Sequence, residues 1–170
     1  MKELPRFISA LVMIILSTVL IGAFFYEYGY KQEPCPLCFL QRLMMIGIGV
    51  GMMLNLRHGS HIRHYDIAYF CALVGGATSI RQILLHICPD EKPFGTPILG
   101  LSLYSWAFIV FVATVVGVSV MLLLYEHPES ERKMLKLNWF YKLAILYFMC
   151  VSFASILSAF SVCGFTTCAN

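Results

Sequence analysis

The sequence predicts an all-α integral membrane protein, five transmembrane helices in a single domain over residues 1–170. Three observations predict it. Hydrophobic residues fill 59% of the 170 positions and only 12% are charged. With a mean hydropathy of +0.79, that is more apolar surface than a soluble domain of this size can bury. The apolar residues also fall into five runs, at 7–26, 37–56, 65–87, 99–125 and 139–161. Each is long enough to cross a hydrocarbon core of about 30 Å as a helix. Finally, the runs are continuous rather than alternating, which excludes the strands of a barrel.

The first run follows Lys2 and Arg6. It is longer than the apolar stretch of a signal peptide and lacks an A-x-A-like cleavage site, so it reads as a retained anchor. The second run opens on Cys35-Pro36-Leu37-Cys38 and contains Gly47-x-Gly49-x-Gly51. Those glycines, like Gly75-Gly76 in the third run, permit close helix approach. Met44, Met45, Met52 and Met53 read as core or lipid-facing residues. The third run ends on Arg81, Gln82 and His86, and a short loop with Cys88 leads to the fourth, which opens near Leu99-Gly100. The fifth carries the chain to the tail Cys163-Gly164-Phe165-Thr166-Thr167-Cys168. Tyr26, Tyr28, Tyr30, Tyr104 and Trp106 suit an aromatic belt at one interface.

Lysine and arginine placement sets the orientation. Lys2 and Arg6 precede the first helix, Arg57 and Arg63 follow the second, and Arg132, Lys133, Lys136 and Lys142 lie between the fourth and fifth. The other side has only Lys31 and Lys92. The N-terminus is therefore expected in the cytoplasm and the C-terminus outside. This bias accounts for most of the net charge of +3, so nucleic acid is not an expected partner; the lipid bilayer is.

Sorted by side, Cys35, Cys38, Cys88, Cys163 and Cys168 all fall on the outer face, where disulfides persist. Cys71 and Cys150 lie mid-helix and read as buried packing residues. A CxxC pair cycles between dithiol and disulfide, and a helix N-terminus or a nearby cation favours its reactive thiolate. Arg42 lies one turn after Cys38, on the same side of the helix. Gln41 and Arg42 below Cys38, with Arg81, Gln82 and His86 ending the third helix, bring polar groups to one membrane depth. Such groups in lipid face the bundle interior or a ligand. Neither a nucleotide fingerprint nor a C-x-x-C-H haem site is present, and a lipid-soluble quinone is the acceptor available at that depth. Its carbonyls accept hydrogen bonds from Arg, Gln or His.

Pro34-Cys35-Pro36-Leu37-Cys38-Phe39-Leu40-Gln41-Arg42 resembles the P-C-x-L-C-x-x-x-R signature of the DsbB-type disulfide bond formation proteins. The resemblance runs on through Arg81-Gln82…His86 and Leu99-Gly100…Trp106, over roughly residues 5–125. It implies a four-helix bundle of the bacterial inner membrane that reoxidises a soluble periplasmic DsbA-like dithiol oxidase and passes the electrons to ubiquinone or menaquinone. Carried over, Cys35 and Cys38 are the quinone-coupled pair, Cys38 the thiolate beside the quinone and Arg42 its electrostatic partner. His86, with Gln41 and Arg81, becomes a quinone neighbour. The chain departs from the family in having one cysteine, Cys88, where the family has two, and in adding a fifth helix. The tail can supply the missing partner, as Cys163–Cys168 or by bridging to Cys88; the tail pair as a structural clasp with Cys88 idle is the other reading.

Three alternatives use the same residues. One is another quinone-linked thiol redox enzyme, one a soft-metal transporter or sensor for copper or zinc, and one an assembly protein with purely structural disulfides. His58, His61 and His64 read as a solvated cytoplasmic face, and no metal site is assigned to them.

Overall fold

The computed structural model describes residues 3–29, 36–86, 100–124 and 137–163, with side chains at 3, 28, 124 and 161–163 excepted. Five helices follow one another: α1 (Glu3–Gly29), α2 (Pro36–His58), α3 (Ile62–Leu85), α4 (Leu103–Leu124) and α5 (Trp139–Cys163). All five are long and apolar enough to span a membrane, and no strand occurs among the described residues.

Local chemistry sets the helix ends. Pro36 opens α2, where its missing N–H is no loss and its fixed φ is already helical. Gly59, at φ 83°, closes the same helix in the left-handed conformation that glycine adopts without strain. The backbone N–H of Arg63 then donates to His61 Nδ1, capping α3. The start of α4 differs from the sequence expectation. Gly100 takes φ 80°, and the first helical bonds run to the Ser102 carbonyl, so α4 begins at Leu103 rather than at 99. Apolarity alone could not locate that start, because Leu99 and Leu101 are as apolar as the helix itself.

In lipid, apolar burial does not drive helices together, so packing and small residues do. α2 packs along α3 and α3 along α4, while α1 packs against α2 and α5. The glycines make these approaches. A Cβ on Gly49 would run into the Phe148 ring of α5, and one on Gly75 into the Phe111 ring of α4. Gly51 meets the backbone of α3 at the His64 carbonyl, and Gly47 meets Cys71 Sγ. Cys71 is thus the packing residue expected, but Cys150 is exposed on the outside of α5. A mid-helix position gives depth in the membrane and not the facing direction.

Several hydroxyls in α1, α3 and α4 bond back to their own helix, as Ser17 does to the Met13 carbonyl and Ser79 to that of Gly75, each reaching four residues back. The α1–α2–α3–α4 order leaves a seam between α1 and α4, which do not pack closely. Two cavities lie along it.

Candidate functional site

Cys38 lies in the first turn of α2, where the free backbone N–H groups favour a developing anion. About two turns later the helix has come round to Met45, so Cys38, Gln41, Arg42 and Met45 share one face. That face looks into a cavity of about 120 Å³, where one water needs roughly 10–15 Å³. Gln82 of α3 closes the wall; Leu20, Ala23, Tyr26 and Glu27 come from α1, and Tyr104, Trp106 and Ala107 from α4. The lining is mostly apolar with a few convergent polar groups, the usual composition of a small-molecule site.

Gln82 is 1% exposed and Gln41 4%. Gln41 Nε2 donates to Gln82 Oε1 at 2.9 Å. The other end of the Gln82 amide, Nε2, lies 3.4 Å from Cys38 Sγ. The sulfur is thus in contact with an amide of the neighbouring helix.

Arg42 also meets an acidic partner that the sequence reading did not name. Its Nη1 lies 2.7 Å from Glu27 Oε2 of α1, and the two side chains are 12% and 8% exposed. The guanidinium also lies against the rings of Phe24 and Phe39, 5.6 and 5.7 Å from their centroids. A cation inside the membrane needs a counter-charge. Sequence reasoning named the cation and overlooked Glu27, although a lone acidic residue near the end of an apolar run is the same kind of signal.

His86 stands behind the cavity wall. Its Nδ1 is 2.9 Å from the Gln82 carbonyl oxygen, and its ring stacks on Tyr104 at 5.4 Å. Tyr104 is buried beside the cavity rather than serving in an outer belt. Arg81 is exposed and does not line the cavity. One residue step turns a helix by about 100°, so Arg81 and the cavity-facing Gln82 cannot share a direction. The expectations for Cys35, Cys88 and Cys168 lie outside the described residues, and Cys163 is described only as the last residue of α5.

At the opposite end of α2, His58, His61 and His64 gather with ring centroids 5.6 and 6.2 Å apart. His64 Nδ1 lies 3.1 Å from Asn55 Oδ1. Among the described residues, no group of three His, Cys, Asp or Glu side chains could hold a metal ion.

Comparisons with known proteins give the chain a family. The family described as disulfide bond formation protein DsbB matches residues 5–95, more than half of the chain. The match ends before α4, so it is shorter than the span of roughly 5–125 expected from the motifs. It stops in the stretch where this sequence has the single Cys88. Disulfide bond formation protein B 1 of Pseudomonas aeruginosa is 30% identical over 61% of this chain and 67% of its own length. Disulfide bond formation protein B of Marinobacter nauticus is 34% identical over 51% and 54%. Disulfide bond formation protein B 1 of Pseudomonas fluorescens is 27% identical over 65% and 85%. No solved structure matches the chain. With five membrane-spanning helices and a CxxC-bearing α2 inside the matched segment, the chain belongs to the DsbB family of disulfide bond formation proteins, a family of membrane oxidoreductases.

Proposed function

We propose that the protein is a thiol:quinone oxidoreductase that reoxidises a periplasmic DsbA-like dithiol oxidase and passes the electrons to a membrane quinone, ubiquinone or menaquinone. The observation that carries the reading is Cys38 Sγ in the wall of a cavity that also presents Gln41, Arg42 and Gln82.

The donor set fits a quinone. Two ring carbonyls call for N–H or O–H donors at the ends of a flat apolar slot. Arg42, the glutamine amides and the Tyr26 and Tyr104 hydroxyls offer the donors, and Leu20, Ala23 and Ala107 the apolar walls. Further along the same seam, a second cavity of about 430 Å³ is lined by α1 and α4 residues such as Val12, Leu16, Val110 and Gly117. Almost wholly apolar, it suits an isoprenoid tail.

In the proposed reaction a partner dithiol attacks an outer disulfide of this chain, becoming a disulfide and leaving two thiols behind. The two outer thiols then reduce the Cys35–Cys38 disulfide by exchange, becoming a disulfide again themselves, and the Cys35–Cys38 dithiol so formed would return to its disulfide by giving up two electrons and two protons. A bound quinone supplies the acceptor chemistry by taking up both and becoming the quinol. Arg42 offsets negative charge at the site, and the first turn of α2 favours the Cys38 thiolate. Cys163 and Cys168, with Cys88, are proposed as the route from the partner, with all five active cysteines on the periplasmic side of the inner membrane. His86 is proposed to act on the quinone site through Tyr104, while Arg81, which faces away from the cavity, is given no part in it.

The test is quinol formation by purified protein supplied with a reduced DsbA-like oxidase and a short-chain ubiquinone or menaquinone. Turnover lost in Cys38→Ser and weakened in Arg42→Ala is the expected result. A wild-type protein that reduces neither quinone, with a verified reduced partner, contradicts the proposal.

A further inference from the structure

We propose that Gln82 stabilises the Cys38 thiolate by donating an N–H to Sγ, and that Gln41 is the positioning residue that aims it. The inference deepens the reading above and rests on Cys38 as the redox sulfur.

The geometry is a chain of three side chains. Gln82 reaches the sulfur with both ends of its amide, Nε2 at 3.4 Å and Oε1 at 3.9 Å. The oxygen can only accept, which suits a thiol, and the nitrogen can only donate, which suits a thiolate. Gln41 decides between them. Its Nε2 donates to Gln82 Oε1 at 2.9 Å, which draws the oxygen away from the sulfur and turns the NH₂ toward it. Were the Gln82 amide reversed, two NH₂ groups would face each other and an oxygen would face the thiolate. Both glutamines are almost fully buried, so water offers neither amide an easy substitute partner.

The other charged and titratable groups around the site are Arg42, Glu27, Tyr26, Tyr104 and His86. Arg42 is held at 2.7 Å by Glu27. Tyr26 of α1 and Tyr104 of α4 line the cavity, while His86 is engaged with the Gln82 carbonyl and the Tyr104 ring. Arg81 is exposed on the far side of α3. A donor on α3 also couples the sulfur of α2 to the helix that ends at His86, so the thiolate depends on the α2–α3 register set by Gly47 and Gly51.

The experiment follows alkylation of Cys38 by iodoacetamide at neutral pH in the reduced full-length protein, quantified on the Cys38 peptide by mass spectrometry. Only the thiolate reacts, its S–C bond forming as iodide leaves, so the rate reports the thiolate population. Gln82→Met keeps the bulk and removes the donor. It is expected to slow alkylation about tenfold, the size of one charge-assisted hydrogen bond of about 1.4 kcal/mol. Gln41→Met leaves Gln82 in place but frees its amide to turn, and is expected to slow the reaction about threefold, a partial loss of the same bond. Because Gln41→Met leaves the residue at position 82 unchanged, slowing in both variants cannot come from lost bulk at Gln82. Unchanged rates in Gln82→Met overturn the inference, and slowing in Gln82→Met with none in Gln41→Met overturns the positioning role. Since the readout needs no acceptor, slowed variants of a protein that reduces no quinone would uphold this inference while overturning the quinone reading.

Discussion

The two ends of α2 carry polar clusters of similar size, and only one of them is built as a site. At the Pro36 end, Gln41, Arg42 and Cys38 turn inward, each meets a partner from α1 or α3, and together they wall a cavity. At the His58 end, His61 and Arg63 are exposed, the histidine rings meet one another at tilted angles, and His64 hydrogen-bonds the buried Asn55. Neither cavity along the seam is lined by His58, His61 or His64. Reactive or ligand-type residues close together are therefore not sufficient. What distinguishes the first cluster is concavity, desolvation and a redox sulfur in contact with a donor.

The largest effect expected from this contrast is at the cysteines. Cys163→Ser with Cys168→Ser should abolish exchange with a reduced dithiol partner while leaving quinone binding intact, measured by mixed-disulfide trapping and by quinone titration. Full exchange in that variant would remove the tail from the route and leave Cys35–Cys38 to react directly.

Next is the Glu27–Arg42 pair. Arg42→Ala strands a carboxylate that is 8% exposed, and breaking a buried pair from one side costs about 3 kcal/mol or more. The Arg42→Ala, Glu27→Gln double variant should recover much of that loss in thermal unfolding in detergent. If the two substitutions are simply additive, the pair is not coupled in the way its 2.7 Å contact implies.

A smaller loss tests the packing that supports the site. In Gly49→Ala the new methyl meets the Phe148 ring of α5, an overpacking cost of about 1–3 kcal/mol. The same substitution at Gly22, where nothing lies within 4 Å of the added atom, should leave the melting temperature unchanged or raised.

The smallest effect belongs to the other end of α2. His58→Ala with His61→Ala should keep quinone-linked turnover within about twofold of wild type, as substitutions away from a site do. A severe loss would mean that the histidine face takes part in function and that the contrast between the two ends is false.

Much of this was legible in the sequence because a membrane makes depth readable. Helix count and the gathering of Cys38, Gln41, Arg42 and Gln82 at one level follow from run lengths and residue positions. Direction around a helix is harder to read where every face is apolar. α4 has no polar stripe to mark an inner side, so Tyr104 could not be assigned inward from pattern alone, whereas in α5 Ser152, Ser155 and Ser158 mark the buried face and Cys150 lies off it. Arg81 and Gln82 are adjacent in sequence and face different surroundings for the same reason. Glu27 was readable by its charge but not by its partner, since the Arg42 contact joins two helices across a fifteen-residue separation.

Saturable photolabelling by an azido-quinone tests the central claim most directly. The account predicts label on the α1 segment 19–27 and the α4 segment 103–107, competed by excess unlabelled quinone and reduced in Arg42→Ala. Label confined to the His58 end of the bundle, or unaffected by competitor, would contradict a quinone site beside Cys38.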